Sequence, residues 1–366
     1  MNKTILALGA LWLGLTAAPA VAAPLYEFTD LGLLAGDFSS GQATAGSYVT
    51  GYAGTSTTSS LPRAAFIWEN GVLQSLGTLG GTRSTGLGVN DQGDVVGWSR
   101  DASEQTQAML YSNGVMTDLN TAHATPGWNL SFAWDINSSG DIVGVGDGPD
   151  GGRGWLLSGG QLFDLGTLGG SRSDAYGIND AGDIVGRART ATEATHAFLY
   201  TNGLMVDLGT LGGTTSQALE INDNGQIAGW STDANGDRLA FIYQNGTMIA
   251  LADAGGGFNQ AYGINDAGEV AGNARNADGE SIAALWIGDE VYDLNALVVN
   301  AAGWTFDFAW DINDQGWIVG NATDAEGNLH GFLLTPVPEP ATLAILGSGV
   351  LALFLVGARR PTASAG

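Results

Sequence analysis

A short motif, Ile/Val-Asn-Asp-x-Gly or a close variant, recurs six times along the chain at an almost constant spacing. It reads VNDQG, INSSG, INDAG, INDNG, INDAG and INDQG, beginning at residues 89, 136, 178, 221, 264 and 312. The intervals are 47, 42, 43, 43 and 48 residues, and a degenerate copy, AGSYVTGYA, begins about one period earlier at Ala45. A fixed period in this range is typical of solenoids, propellers and other repeat arrays, so the chain is predicted to contain seven related units.

Each period carries the pattern of four short strands. In residues 173–209, SDAYGI leads into the turn Asn-Asp-Ala-Gly, DIVGRA follows, and HAFLY and MVDLG flank Asn202-Gly203. Asn-Gly between two apolar runs is a strong hairpin signal, because both turn residues need positive φ. Four strands in each of seven units match a β-propeller, and a linear β-solenoid is the alternative.

The two ends of the repeat region are complementary. The last unit has three strand patterns, 308–312, 317–320 and 330–334, and no fourth. Residues 25–32 resemble an isolated fourth strand ending in the usual Asp-Leu-Gly. We therefore expect an all-β fold over residues 24–336: a seven-bladed β-propeller of four-stranded blades, closed by the N-terminal strand so that no open edge is left.

The terminal segments have the pattern of export signals. Residues 1–22 combine Lys3, an apolar run and small residues, as in a secretory signal peptide, with cleavage after Ala20 or Ala22. Residues 341–358 are free of charge and long enough to form a transmembrane helix, and Arg359-Arg360 follow on the cytoplasmic side. An exported protein is predicted, anchored in the inner membrane by its tail, residues 337–366.

Composition excludes several classes of function. The net charge is −25, and residues 24–336 contain no Lys, so no nucleic-acid partner is expected. The chain has no Cys, which excludes a disulfide framework and a Cys nucleophile. HExxH and G-x-S-x-G are also absent. A non-enzymatic protein is expected, although a glycosidase with paired carboxylates stays an alternative.

Two stretches resemble known families. The tract LGTLGG…SDAYGINDAGDIVG…HAFLY…DLGTLGG resembles the HAF repeats of bacterial extracellular proteins, over about residues 28–334. The tail is similar to a PEP-CTERM sorting signal through Val337, Pro338, Glu339, Pro340, Arg359 and Arg360. This resemblance implies a Gram-negative bacterium, processing by an exosortase, delivery to the cell surface or the medium, and a link to exopolysaccharide.

Two Gly-containing motifs allow a ligand-binding and a structural interpretation. DLGTLGG, at residues 164–170 and 207–213, is either a phosphate-binding loop or the crossover between units, which we favour because no helix pattern follows. Asn-Asp-x-Gly is either a turn or part of a weak calcium site. The turn is favoured, and the metal is left unknown.

One position of the innermost strand alternates between Gly and an acid. Asp135, Glu220 and Asp311 occupy it in three of the units. If this position faces a central channel, the three carboxylates are candidates for binding a cation or a sugar. The alternative is that they accept hydrogen bonds from neighbouring main-chain amides.

Tryptophans mark two related segments, PGWNLSFAWDIN and AGWTFDFAWDIN. Trp134 and Trp310 are expected in the core, whereas Trp128 and Trp304 are candidates for stacking on sugars. Three functions follow: an exported scaffold that binds exopolysaccharide or an envelope component, a carbohydrate-active enzyme using the channel carboxylates, and a calcium-stabilised structural or adhesive protein. The first is preferred.

Overall fold

The computed structural model describes residues 23–34, 36–54 and 62–338. These residues form 28 β-strands and two single-turn helices, which confirms the predicted all-β class. The strands pair antiparallel in consecutive groups of four, which we number as units 1 to 7. Within each unit the strand that comes first, here called the inner strand, contacts the inner strands of the two neighbouring units.

The strand bounds are as follows. Units 1 and 2 comprise β2 (Phe38–Ala45), β3 (Tyr48–Gly54), β4 (Arg63–Glu69), β5 (Val72–Gly77), then β6 (Gly80–Val89), β7 (Val95–Asp101), β8 (Thr106–Ser112), β9 (Val115–Asp118). Units 3 and 4 comprise β10 (Asn129–Ile136), β11 (Ile142–Gly148), β12 (Gly151–Ser158), β13 (Gln161–Asp164), then β14 (Gly169–Ile178), β15 (Ile184–Thr190), β16 (Thr195–Thr201), β17 (Leu204–Gly209). Units 5 and 6 comprise β18 (Gly212–Ile221), β19 (Ile227–Asp233), β20 (Arg238–Gln244), β21 (Thr247–Ala250), then β22 (Gly255–Ile264), β23 (Val270–Asn276), β24 (Ser281–Ile287), β25 (Glu290–Asp293). Unit 7 comprises β26 (Thr305–Ile312), β27 (Ile318–Thr323), β28 (Leu329–Pro336) and the N-terminal β1 (Tyr26–Asp30).

The N-terminal strand completes unit 7, as the sequence predicted. β1 pairs antiparallel with β28, placing Tyr26 opposite Pro336. The side chain of Asn300 covers the outer edge of β1, because its Oδ1 accepts from the Phe28 N–H at 2.7 Å and its Nδ2 donates to the Phe28 oxygen at 3.2 Å. A strand edge that would otherwise be free to pair with another chain is thus occupied.

The hairpins within the units have the predicted turn chemistry. Asn202 and Gly203 both adopt positive φ, 51° and 78°, which is the type I′ geometry that Asn-Gly favours. The equivalent Asn-Gly pairs at 70–71, 113–114 and 245–246 have the same backbone conformation.

The core is divided among the junctions between units. The described residues form seven buried apolar clusters, each drawn mainly from two consecutive units. One of them joins unit 7 to unit 1 through Val319 and Leu333, which pack with Val49 and Phe66. The contacts therefore return from the last unit to the first.

The repeated DLGTLGG forms the crossover between units. Its second copy ends β17 at Gly209 and begins β18 at Gly212, with φ of 71° and 105°. A Cβ on Gly213 would lie 2.3 Å from Thr232 Oγ1, so this Gly is required by close approach. The heptapeptide connects two strands, and the alternative of a phosphate loop before a helix is wrong.

Units 3 and 7 are entered through a helical turn instead of this crossover. Helices α1 (Leu119–Ala122) and α2 (Leu294–Leu297) are capped at their N-termini by the side chains of Asp118 and Asp293. In α1 the Asn120 side chain forms two hydrogen bonds of 2.7 Å with the main chain of Leu130, at the start of the next inner strand. Asn295 holds Phe306 in the same way.

Candidate functional site

A cavity of about 590 Å³ lies where the inner strands end at the Asn-Asp-x-Gly turns. Residues from all seven inner strands line it, and the candidate carboxylates Asp135, Glu220 and Asp311 are among them. The structure therefore brings together the three acids that the sequence singled out. A concave site of this volume is in the usual range for small ligands.

A β-bulge shapes the wall of the cavity. In every inner strand the register shifts just before the position of the acids, for example between Ala133 and Asp135, so that Trp134 is the extra residue. Bulges of this kind redirect side chains, and here Trp134 and Asp135 both line the cavity although they are neighbours in one strand. The equivalent shifts in the other inner strands are at 41/43, 86/88, 175/177, 218/220, 261/263 and 309/311.

The bulged position supplies aromatic side chains. Trp134 meets Tyr176 edge-on with ring centroids 5.3 Å apart, and Tyr262 lies 4.7 Å from Trp310 in a tilted arrangement. All four line the cavity and are partly buried. The expectation that Trp134 and Trp310 belong to the core is wrong, because the bulge turns them towards the cavity.

The carboxyl groups of Asp135 and Asp311 are bound to main-chain amides of two units. Asp135 accepts from its neighbour Ile136 at 2.8 Å and from Ile178 of the next unit at 2.9 Å. Asp311 accepts from Ile312 and from Thr44 of unit 1, both at 2.8 Å. The sequence left open whether these acids face a cavity or accept hydrogen bonds from main-chain amides. In the structure both aspartates do both.

Glu220 differs in having one oxygen with no main-chain partner. Its Oε1 accepts from the Ile221 N–H at 3.0 Å, and the described residues show no hydrogen bond to Oε2. The longer side chain reaches over Gly177 of the preceding unit, where a Cβ would lie 3.0 Å from Oε1. Gly263 gives Asp311 room in the same way, at 2.6 Å. The alternation of Gly and acid therefore has a steric cause.

Burial and mutual repulsion raise the pKa values of these groups. Burial raises the pKa of Asp135 to about 6 and that of Asp311 to about 7. The pKa of Glu220 is raised well above its usual value, first by burial and then by the charges of Asp135 and Asp311. The three carboxyls thus affect one another across the cavity.

The Asn-Asp-x-Gly motif itself forms two hydrogen-bonded ladders between units. Asn179 is buried and its Nδ2 donates to the main-chain oxygen of Asn222 at 3.1 Å. Asp180 donates its N–H to Asp223 Oδ1 at 2.8 Å. The Asn ladder runs through residues 90, 137, 179, 222, 265 and 313 to Gly46. The motif is a turn, as favoured, and it also links each unit to the next.

The remaining predicted site residues lie elsewhere. Trp128 and Trp304 are outside the cavity lining, partly buried, and pack against the apolar clusters at the 2–3 and 6–7 junctions. Their role in stacking on sugars stays a prediction. His196 of the HAF triplet pairs with Asp207 through Nδ1 at 2.9 Å, which gives that residue a structural contact between the third and fourth strands of unit 4.

Sequence reasoning missed Tyr176, Tyr262, Gln42 and Gln217, which also line the cavity. Each tyrosine directly precedes the Gly that alternates with the acids. This repeat position is the sequence signal that could have identified the two tyrosines as cavity residues. In the part of the chain that the structure describes, no group of three His, Asp or Glu side chains is arranged to hold a metal ion.

The predicted signal peptide and most of the sorting tail lie outside the described residues. Val337 and Pro338 follow β28, whereas Glu339, Pro340, the segment 341–358, Arg359 and Arg360 are beyond them. None of the helices within residues 23–338 that the structure describes has the length and apolarity needed to cross a membrane.

Residues 336–360 match the PEP-CTERM protein-sorting motif. This match confirms the sorting signal predicted at the C-terminus and indicates an exported protein processed by an exosortase in a Gram-negative bacterium. No curated protein sequence matches the chain.

The chain is similar to several solved structures at low sequence identity. The chain is similar to the acylaminoacyl peptidase of Pyrococcus horikoshii, with 13% identity and a TM-score of 0.52, over 85% of this chain and 54% of that one. TolB from Acinetobacter baumannii has 11% identity and a TM-score of 0.46, over 79% and 64%. The Aleuria aurantia lectin, described as a six-bladed β-propeller, has 10% identity and a TM-score of 0.35, over 69% and 95%. The chain thus spans less than two thirds of the length of the first two proteins.

Proposed function

We propose that the chain is an exported, non-enzymatic glycan-binding scaffold, built as a seven-bladed β-propeller whose central cavity binds a segment of exopolysaccharide. The circular order of unit contacts and the N-terminal strand in unit 7 support the propeller over a linear solenoid. After export, the protein is held in the inner membrane by its tail until the exosortase acts, and then reaches the cell surface or the medium. We also propose that the seven units are repeats of the HAF type, which their sequences resemble.

The observation that carries the proposal is the combination of aromatic faces and carboxyl groups in one cavity. Trp134 and Trp310 with their tyrosine partners offer apolar faces of the kind that pack on sugar rings. Glu220 Oε2, Gln42 and Gln217 offer polar atoms for hydroxyl groups. Apolar walls with a few convergent polar groups are the usual composition of a small-molecule site.

A glycan array tests this function. The full-length protein, kept soluble in a detergent without a sugar head group, should bind a subset of bacterial polysaccharide fragments. The double variant Trp134→Ala, Trp310→Ala should lose that binding, with circular dichroism as the check on folding. The matched pair Trp128→Ala, Trp304→Ala should retain it.

Each outcome of the array is informative. If only the Trp128→Ala, Trp304→Ala variant lost binding, the sugar would bind at the loops before β10 and β26. The cavity would then not be the binding site. Absence of binding to every glycan would contradict the proposed function.

A carbohydrate-active enzyme is a second candidate, and the carboxyl groups favour it. Asp135 and Asp311 have pKa values raised to about 6 and about 7, a range suited to a general acid near neutral pH. Turnover of a polysaccharide that is abolished by Glu220→Gln, with binding retained, would establish the enzyme. Binding without any product would exclude it for that polysaccharide.

A further inference from the structure

The cavity has a one-sided distribution of charge. Among the residues that the structure describes, eight with a carboxyl group line it, and no Arg, Lys or His does. Beyond the inner three, five aspartates of the Asn-Asp-x-Gly turns belong to the lining: Asp91, Asp180, Asp223, Asp266 and Asp314. A cleft lined by charges of one sign attracts ligands of the opposite sign and raises their local concentration.

The arginines of the described residues offer these acids no counter-charge. All nine lie outside the cavity lining. Five of them form ion pairs, and their partners are Asp164, Asp174, Glu104 and Glu193, none of which lines the cavity. Arg63 and Arg238 instead lie over the rings of Tyr52 and Trp230, at 4.2 and 4.0 Å from the centroids. The negative charge of the cavity is therefore not balanced by these arginines.

The aromatic side chains beside the carboxyls are suited to a cation. Trp134, Tyr176, Tyr262 and Trp310 line the same cavity as Asp135, Glu220 and Asp311. An organic cation is attracted by an aromatic face, more strongly when it is withdrawn from water. A partly buried carboxylate without a counter-ion is likewise stabilised by a positive charge that enters with a ligand.

From these observations we infer that the cavity selects amino sugars, that is, saccharides carrying free ammonium groups, over neutral and acidic ones. The inference rests on the proposed glycan binding and narrows its ligand class. The sugar ring occupies the space between the aromatic faces, and its ammonium group contacts the carboxyl oxygens, first among them Glu220 Oε2. An acidic polysaccharide would bring like charges together and is disfavoured.

A matched pair of ligands tests the inference. Glucosamine pentasaccharide and its fully N-acetylated form differ at the nitrogen, and a glucuronate oligosaccharide of the same length supplies the opposite charge. We expect calorimetry with the full-length protein at pH 6 to show the amine form binding about tenfold more tightly than the acetylated form. The difference should shrink as salt rises, because charge attraction is screened.

Two variants localise the effect. Glu220→Gln should reduce the preference for the amine form, because the amide carries no negative charge, and Trp134→Ala should weaken the binding of both forms. Asp278→Asn removes an exposed carboxylate that lies outside the cavity lining and should change neither.

The outcomes separate this inference from the proposed function. Equal or tighter binding of the acetylated or glucuronate ligand overturns the inference and leaves glycan binding intact. Binding of poly-lysine as tight as that of the amino sugar overturns the sugar class, since charge alone would then suffice. No binding of any saccharide contradicts both.

Discussion

The side-chain amide of Asn313 donates a hydrogen bond to the main-chain oxygen of Gly46 at 3.2 Å, and this contact joins unit 7 to unit 1. Asn313 is the last asparagine of the ladder that begins at Asn90. The motif that recurs along the sequence is thus also the motif that connects the units in space. Unit 1 has no such asparagine, and there the Asn313 amide also donates to the hydroxyl of Thr44 at 3.2 Å.

Removing one asparagine of this ladder should lower the stability of the folded protein. The Asn222 side chain is buried, donates to the Asn265 oxygen at 2.8 Å and accepts from the Gln226 N–H at 2.8 Å. We expect Asn222→Ala to lower the free energy of unfolding by about 2 kcal/mol, because it leaves buried main-chain groups unpaired. Urea denaturation measures this. The exposed Asn235→Ala should change it little, and equal effects of the two variants would contradict a role for the ladder.

Two glycines of one crossover should differ in their tolerance of a side chain. Gly209 has positive φ but open space around it, whereas a Cβ on Gly213 would lie 2.5 Å from the Asp233 oxygen. We expect Gly209→Ala to cost about 1 kcal/mol from its backbone conformation, and Gly213→Ala clearly more, from the added clash. Thermal unfolding of both variants tests the order. The reverse order would show that the main chain at Gly213 can move aside.

The N-terminal strand should be required for stability. Tyr26 is 1% exposed and packs with Leu294, Phe306 and Leu334. We expect Tyr26→Ala to cost about 3–5 kcal/mol, the range for losing a buried aromatic ring. Thr29→Ala, at an exposed position of the same strand, should stay within about 0.5 kcal/mol of wild type. Indistinguishable unfolding curves for Tyr26→Ala and wild type would contradict the packing of β1 in unit 7.

Stability should fall between acid and neutral pH because of the cavity carboxyls. Burial raises the pKa of Glu220 above that of the unfolded chain, so the folded protein binds this proton more readily. The resulting stabilisation is complete below the unfolded pKa of about 4.3 and is lost as pH rises through the folded pKa. Asp135 and Asp311, with pKa values of about 6 and about 7, act in the same direction.

The variant Glu220→Gln isolates this effect, since Oε1 can still accept from Ile221. Its melting temperature should exceed that of wild type at pH 8 and converge with it near pH 4. Asp278→Asn serves as the control and should follow wild type throughout. A melting temperature of Glu220→Gln that lies below wild type at pH 8 would mean that the Glu220 carboxylate is stabilised by a charge not seen among the described residues.

The repeats made much of the fold predictable, because local rules determine them. Asn202-Gly203 predicts its turn from φ preference alone, and the spacing of Asn-Asp-x-Gly predicts which segments are equivalent. The N-terminal strand was predicted from a deficit of one strand in unit 7. Which aspartate pairs with which unit was not predictable, because hydrogen bonds such as Asp180 to Asp223 depend on how the units are placed in space.

The candidate site was only partly predictable for a different reason. The acids were found because they alternate with Gly at one repeat position. Trp134 and Trp310 were assigned to the core because tryptophans in β-sheets more often pack in the core. In a regular strand the residue next to an acid that faces a cavity would also point to the opposite face. The bulge breaks that rule at the residue before each acid, and nothing in the strand pattern indicates a bulge.

The hydrogen bond from the Val337 N–H to the Leu25 oxygen, at 2.7 Å, connects the start of the folded body to the residue that follows β28. An exported chain delivers β1 first and β28 last, so β1 has no partner strand until nearly the whole polypeptide has crossed the membrane. Contacts between residues so distant in sequence are slow to form. The sorting motif begins where β28 ends, and the chain therefore completes its fold only at the stage of export when its sorting signal arrives.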